Sequence, residues 1–294
     1  MGVTTPIGTD RWVRPLAWAT LVANMTLVVT GGAVRLTGSG LGCPTWPRCT
    51  DSSFRPHGAL SLHQAIEFGN RSLTFVLVAV AIATYVVMWR TGRRDLRAMA
   101  LIVALGIPAQ AIVGGITVLT DLNPWVVSFH LLCSLAIIGV AVRLLLSVEA
   151  PLPLAHRGPV VGLAWATFGA AWAVLYVGTV VTGSGPHAGD ADTERNGLSP
   201  LQMSQLHADL VFLFVGLTLG LLFTLMAVGG NPLARRAVVV LLCVEVAQGA
   251  IGFVQYFTDL PVVLVGFHML GAAVISACAT WALLRVRRPV SVDA

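Results

Sequence analysis

Eight long apolar runs limit what this chain can fold into more than any other feature of its sequence. They lie near residues 14–34, 65–89, 98–119, 125–147, 160–182, 205–228, 235–257 and 261–284. About 20 consecutive apolar residues suffice for a helix to cross the hydrocarbon core of a bilayer. Only 11% of the residues are charged, and the segments between the runs are too short for a separate soluble domain. The sequence therefore predicts an all-α membrane protein with eight transmembrane helices.

The positions of the basic residues predict how these helices are oriented. All 18 basic residues are arginines, and most lie at the amino terminus, at the carboxy terminus or in every second connection. Arginine is enriched in cytoplasmic loops, so both chain termini are predicted to be cytoplasmic. The net charge of +5 reflects this topology and does not indicate a nucleic-acid partner. The predicted cytoplasmic arginines are Arg11, Arg14, Arg90, Arg93, Arg94, Arg97, Arg143, Arg157, Arg235, Arg236, Arg285, Arg287 and Arg288.

One stretch of the chain occurs twice with the same polar residues. Residues 110–130 read QAIVGGITVLTDLNPWVVSFH, and residues 248–268 read QGAIGFVQYFTDLPVVLVGFH. A four-span unit that is repeated keeps its orientation, because an even number of crossings separates the two copies. The sequence therefore predicts two tandem four-helix bundles, residues 1–150 and 151–294, related by a pseudo-twofold axis along the membrane normal.

The loop after the first run is rich in glycine and proline and contains two cysteines, Cys43 and Cys49. In the predicted topology it lies on the outer side of the membrane, where oxidising conditions favour disulfides. A metal site would need more ligands than this loop contains. We therefore predict a disulfide between the two cysteines, with two unpaired thiols as the alternative.

The start of the second run places several polar residues on one helix face. Those that follow one another at helical spacing are His63, Glu67, Asn70 and Thr74. Arg71 lies one turn beyond Glu67 and can pair with it. Charged residues within a span normally face a bundle interior or a cavity, so this face is predicted to line an internal site. The alternative is that Glu67 and Arg71 form an ion pair with a purely structural role.

Three histidines lie toward the predicted outer ends of even-numbered runs, which places them at similar depth. They are His130 in the fourth run, His207 in the sixth and His268 in the eighth. Inward-facing histidines from two helices of a bundle are a typical pair of axial haem ligands, so we predict that His207 and His268 bind haem iron. The alternatives are hydrogen-bonded structural histidines, or another metal, for which two imidazoles alone are too few ligands.

The amino-terminal half contains no equally clear partner for His130. Asn70 lies at a matching depth but is a poor iron ligand, whereas His63 lies about 10 Å further out at about 1.5 Å per residue. Either His63 reaches the site through an unusual helix start, or His130 binds iron alone. In the second case an open coordination position would lie beside Glu67, as a reactive site requires.

Several segments together match one known family. They are GGAVRLTGSGLGCPTWPRC, IEFGNR, VVTGSG and the two segments that contain TDL and end in FH. On these segments the chain resembles the haem A synthases, membrane enzymes of cytochrome oxidase assembly, over essentially its whole length. The resemblance implies an oxidoreductase that converts a methyl substituent of haem O to a formyl group by two successive hydroxylations. It also implies that haem b is the cofactor of the carboxy-terminal half and that haem O binds in the amino-terminal half.

The resemblance implies roles for individual residues as well. His207 and His268 match the axial ligands of haem b, and His130 matches a ligand of the substrate haem. Glu67 matches the catalytic carboxylate, which would accept a proton or stabilise positive charge as electrons leave the ring. Cys43 and Cys49 match the external disulfide.

Asn70 departs from the family pattern. The family has Glu-x-x-His-Arg, whereas this chain reads Glu-Phe-Gly-Asn-Arg at residues 67–71. The departure leaves the ligation of the amino-terminal haem open. The candidate contacts of the substrate haem are therefore His130, Asn70, His63 and Arg71.

The resemblance further implies a bacterial cell membrane location and a set of partners. These are haem O, haem O synthase, cytochrome oxidase assembly factors, membrane lipid, an electron acceptor that the sequence does not identify, and a second copy of the chain. Two other functions would use the same histidines: a non-enzymatic haem b electron-transfer protein, such as a quinol oxidoreductase subunit, and a haem permease. Formation of haem A would distinguish the enzyme from both.

Overall fold

The computed structural model describes residues 10–56, 61–149, 158–190 and 192–287. In these residues the chain forms eight α-helices, and all eight are long and apolar enough to cross a membrane. This confirms the predicted all-α fold with eight spans. The helices are α1 (Asp10–Leu36), α2 (Leu62–Arg90), α3 (Arg94–Leu119), α4 (Pro124–Glu149), α5 (Pro159–Ser184), α6 (Pro200–Ala227), α7 (Pro232–Phe257) and α8 (Val262–Val286).

Residues with known capping preferences fix several helix starts. Ser61 forms a capping box with Gln64 at the start of α2, in which each side chain bonds the other residue's backbone N–H. The Ser199 hydroxyl accepts a hydrogen bond from the Gln202 backbone at the start of α6, and Pro200 occupies the first turn. Asn231 caps α7 in the same way. These short polar caps allow the long helices to begin directly after short loops.

The repeated Thr-Asp-Leu segment is a tight turn that joins α3 to α4 and α7 to α8. Asp121 and Leu122 have φ angles of 49° and 59°, and Asp259 and Leu260 have φ angles of 58° and 57°. Two consecutive residues in the left-handed region are unusual for side chains larger than glycine. Each turn closes with a 2.8 Å hydrogen bond from the leucine N–H back to a carbonyl of the preceding helix. The turn geometry explains why this segment is the same in both copies.

The helix contacts form two groups, α1 to α4 and α5 to α8, which share one interface. Within each group every helix contacts two others, so that α1 packs against α2 and α4, and α5 packs against α6 and α8. The shared interface is formed by α4 and α8, and α1 also contacts α8 while α5 also contacts α4. There Ser276 donates a hydrogen bond to the Leu135 carbonyl at 2.8 Å, and Arg285 pairs with Glu149 at 2.9 Å. The pseudo-twofold axis stays a prediction, and the expected boundary at residues 150 and 151 lies outside the described residues.

The outward-facing surface of the helices is strongly apolar. Apolar side chains such as Leu105, Phe223 and Val263 are 61–69% exposed, which suits a lipid environment but not water. Together with the eight long apolar helices, this makes the chain a multi-pass membrane protein. Arg157, Arg288 and both chain termini lie outside the described residues, so the orientation of the helices stays a prediction.

Candidate functional site

A cavity of about 2320 Å³ lies between the two groups of helices and is lined by residues from all eight. Sites for a single drug-sized molecule usually measure about 300–1,000 Å³. The cavity therefore has room for more than one large ligand. Most of its lining is apolar, but it also contains polar residues from odd- and even-numbered helices, several of them near the starts of the even-numbered helices. These include Glu67, Asn70, His130, His207 and His268.

His207 on α6 and His268 on α8 face each other across the carboxy-terminal part of the cavity. Their ring centroids are 6.3 Å apart, and the ring planes make an angle of 71°. The Nδ1 atoms of both rings are buried, and His207 also contacts the backbone of Val174. The two predicted partners are thus brought together.

A glycine on the preceding helix lies beside each of the three predicted histidines. A methyl group in place of the hydrogen of Gly114 would lie 3.1 Å from Cε1 of His130. The corresponding distances are 3.1 Å from Gly178 to His207 and 3.5 Å from Gly252 to His268. A side chain at Gly114 or Gly178 would press on the imidazole, whereas the distance at Gly252 is an ordinary van der Waals contact.

The amino-terminal part of the cavity contains His130 and Asn70, but His63 is not among its lining residues. Asn70 lies on α2, and its amide oxygen accepts a hydrogen bond from the Thr30 hydroxyl at 2.7 Å. Nδ1 of His63 lies 3.0 Å from the Ser39 hydroxyl, at the outer end of the helix. The structure thus brings His130 and Asn70 to the same cavity and leaves His63 outside it.

Glu67 is held by three hydrogen bonds at the edge of the cavity, although it is only 4% exposed. One carboxylate oxygen accepts from the backbone N–H of Cys43 at 2.5 Å. The other accepts from Arg71, at 3.0 Å from Nε and 2.5 Å from Nη2. The expected Glu67–Arg71 pair is therefore present, and the contact to Cys43 adds a structural role that the sequence did not reveal.

The loop that contains Cys43 and Cys49 is held against this part of the cavity by a disulfide and hydrogen bonds. Cys43 and Cys49 form the predicted disulfide, and Arg71 donates hydrogen bonds to the carbonyls of Cys43 and Thr45. The indole of Trp46 lies against Gly115 on α3, and Trp46 lines the cavity. The loop therefore forms part of the wall of the site rather than an independent external segment.

Removing the disulfide is expected to loosen this wall. The double change Cys43→Ser and Cys49→Ser should lower the free energy of unfolding by about 2 kcal/mol, because the bond closes only a short loop. The melting temperature of the purified protein should then fall by about 5 °C. Cys243→Ser, which removes an exposed free thiol on α7, serves as the matched control. Equal melting temperatures for the double variant and the control would contradict a stabilising role.

Two further contacts of the site were not anticipated from the sequence. Glu245 on α7 is 3% exposed and lines the cavity, where one carboxylate oxygen accepts a hydrogen bond from Thr218 at 2.7 Å. Its other oxygen is buried, and none of the described residues donates a hydrogen bond to it. Arg35 donates to the carbonyls of His187 and Thr182, at 2.7 and 3.1 Å, and so ties α1 to the outer end of α5. An acidic residue inside an apolar run is the only sequence signal that marks Glu245.

Comparison with known proteins gives one family and several relatives. Residues 14–192, more than half of the chain, match the model of COX15-CtaA, described as cytochrome oxidase assembly protein. The matched region contains Glu67, Asn70 and His130 but ends before His207 and His268. The similarity to a family therefore covers the amino-terminal part of the site, whereas the carboxy-terminal pair is identified by its geometry.

The chain is similar to three bacterial proteins named heme A synthase. The protein of Geobacillus thermodenitrificans is 26% identical over 144 residues, which are 48% of this chain and 44% of the relative. The protein of Geobacillus kaustophilus is 30% identical over 139 residues, or 47% of this chain and 43% of the relative. The protein of Listeria monocytogenes is 32% identical over 120 residues, 38% of each chain. The alignments thus span less than half the length of these relatives.

Proposed function

This chain belongs to the COX15-CtaA family of cytochrome oxidase assembly proteins, and on that basis we propose that it is a haem A synthase. In this role it oxidises a methyl substituent of haem O to the formyl group of haem A. The observation that carries the proposal is one cavity that is lined by a facing histidine pair from α6 and α8 and also by Glu67 of α2 and His130 of α4. An electron carrier would not need the carboxylate in the amino-terminal half.

Haem b is assigned to the His207–His268 pair. His207 and His268 would hold it through their imidazoles, because the two rings face each other 6.3 Å apart across the cavity. When bound, haem b would supply a one-electron carrier next to the substrate site. The residues of this chain hold it from α6 and α8 and keep it within the apolar cavity.

Haem O is assigned to the amino-terminal part of the cavity as the substrate. His130 is the residue that would bind its iron, and Glu67 would act as the catalytic carboxylate. Because Glu67 is fixed by Cys43 and Arg71, its position does not depend on the ligand, as electrostatic stabilisation of a reacting group requires. The loop that carries Trp46 covers this region and would limit the access of water.

The cellular setting follows from the same proposal. The protein would reside in the bacterial cell membrane with both termini in the cytoplasm, as the arginine pattern predicts. It would receive haem O from haem O synthase and pass haem A to oxidase assembly factors. An electron acceptor and a second copy of the chain complete the proposed partners.

The decisive experiment is a pigment analysis of the purified protein. The protein is produced in cells that supply haem O, and the extracted haems are separated by chromatography and identified by mass. We expect haem A together with haem b, and no haem A from cells that lack this chain. Haem b alone, despite a supply of haem O, would contradict the enzymatic function and favour an electron carrier.

A further inference from the structure

The two halves of the protein can be compared residue by residue, because a repeated pentapeptide and the spacing of buried residues identify the corresponding positions. The pentapeptide Leu-Ala-Trp-Ala-Thr occurs at residues 16–20 of α1 and at residues 163–167 of α5. Its tryptophans, Trp18 and Trp165, are 47% and 48% exposed, and its threonines are both buried. In this register Gly31 of α1 corresponds to Gly178 of α5.

The buried faces of α2 and α6 give the register of the second helix pair. All four buried residues of α6 lie at one constant separation from buried residues of α2. The pairs are Leu77 with Phe214, Ala81 with Thr218, Thr84 with Leu221 and Met88 with Leu225. The same separation places Asn70 where the carboxy-terminal half has His207. The repeat that ends in Phe-His places His130 where that half has His268.

The position opposite His130 therefore carries an amide instead of an imidazole, and the space around it is larger. A methyl group at Gly178 would meet the ring of His207 at 3.1 Å, whereas one at Gly31 would have no heavy atom of another residue within 4 Å apart from its own helix. Gly31 and Asn70 both line the cavity. The ring of His207 thus lies against Gly178, whereas no side chain lies in the corresponding place against Gly31.

Asn70 is held in a fixed orientation. Its oxygen accepts the hydrogen bond from Thr30 at 2.7 Å, so the NH2 group is the part of the amide left to donate. None of the described residues accepts a hydrogen bond from it, and the side chain lines the cavity. An NH2 group at this place is a donor for a small polar ligand inside the cavity.

We propose that the amino-terminal site binds haem iron through His130 alone and leaves the opposite coordination position open to a small diatomic ligand, such as dioxygen or carbon monoxide. The Asn70 amide donates a hydrogen bond to that ligand. This inference rests on the proposed function, because the iron arrives with haem O. It differs from the carboxy-terminal half, where two histidines occupy both axial positions.

Two other side chains have an atom that can bind iron and could take the position opposite His130. His63 does not line the cavity, and its ring is engaged by Ser39. Met269 on α8 lines the cavity and packs against Gly32 of α1, so its thioether is the strongest competitor. The experiment therefore includes Met269→Leu, which removes the sulfur and conserves the size of the side chain.

Carbon monoxide is the probe that tests the inference. The full-length protein, purified with its haems, is reduced with dithionite and mixed with carbon monoxide while its absorption spectrum is recorded. We expect one fraction of the haem to be high-spin and to bind carbon monoxide, and the remainder to stay low-spin and unreactive. His130→Ala should remove the reactive fraction. Met269→Leu should leave it unchanged.

Two variants of Asn70 test the open coordination position and the hydrogen bond to its ligand separately. Asn70→His supplies the imidazole of the other half, and it should make the reactive haem low-spin and lower its affinity for carbon monoxide at least about tenfold. Asn70→Leu conserves the volume but removes the donor. It should still bind carbon monoxide and should release dioxygen about five to ten times faster, the effect of one lost hydrogen bond.

The outcomes distinguish this inference from the proposed function. Formation of haem A by a protein whose haems are all low-spin and unreactive would overturn the open position and leave the enzyme assignment intact. The same conclusion would follow if Met269→Leu created the reactive fraction. Carbon monoxide binding that depends on His130, in a protein that forms no haem A, would support the open position and reject the synthase.

Discussion

Replacing Glu67 with glutamine is expected to lower haem A formation at least about 100-fold, the usual contribution of a positioned acid–base group. Glutamine has nearly the same shape but cannot accept a proton or carry negative charge. The haem held by His207 and His268 should remain bound, because Glu67 belongs to the other half of the cavity. Haem A and haem b are measured together in extracts of the purified variant. Glu194→Gln, in an exposed loop, is the matched control and should retain full activity.

Glu67→Gln would also lower activity if Glu67 had only a structural role, so the two roles have to be distinguished. Both carboxylate oxygens accept hydrogen bonds, so a glutamine NH2 group must face a donor of either Cys43 or Arg71. The substitution therefore weakens the fastening of the cysteine loop as well. The Cys43→Ser, Cys49→Ser variant loosens the same loop but keeps the carboxylate. If it lost as much activity as Glu67→Gln, the role of Glu67 would be structural.

The fold was largely predictable from the sequence because the bilayer restricts the possibilities so strongly. The eight apolar runs matched the eight helices. The helices α2 and α6 begin a few residues before the apolar runs, directly after the capping residues Ser61 and Ser199. The repeated Thr-Asp-Leu segment was recognised as a duplicated element, but not as a left-handed turn. Asp121 and Leu122 both have positive φ, a conformation that residue preference alone would assign to glycine.

The site was predictable only where side chains on regular helices approach one another. His207 and His268 lie at matching depths on α6 and α8, and their rings meet across the carboxy-terminal group, so depth and helical periodicity sufficed to pair them. The bond between Glu67 and the Cys43 backbone depends on the path of an irregular loop, for which sequence spacing gives no geometry. The open space beside Gly31 likewise depends on how four helices meet. Neither could be derived from periodicity.

The comparison of the halves indicates how a duplicated unit can hold two haems for different purposes. Two histidines would saturate a haem iron in one half, which suits electron transfer because no ligand has to be exchanged. A single histidine in the other half would leave the iron reactive. In this proposal the difference depends on one position, His207 in the carboxy-terminal half and Asn70 in the amino-terminal half, while the buried residues of α2 and α6 keep the same spacing.

Removal of one carboxy-terminal histidine is expected to have the second large effect. In His268→Ala the remaining imidazole of His207 cannot hold haem b with both axial bonds, and the haem b content should fall at least about tenfold. Haem A formation should fall with it, because the electrons leaving the substrate would lose their carrier. His207→Ala should behave in the same way, since the two rings form one ligand pair.

Asp209→Asn is the matched control for this prediction, because Asp209 lies on α6 close to His207 but is exposed and does not line the cavity. Its haem b content and its haem A yield should equal those of the unmodified protein. His130→Ala completes the test: it should retain haem b and lose haem A. A His268→Ala variant that kept its haem b would show that the facing rings serve a contact between side chains rather than a metal. Haem A formation at the normal rate without haem b would instead mean that the substrate site passes its electrons directly to an external acceptor.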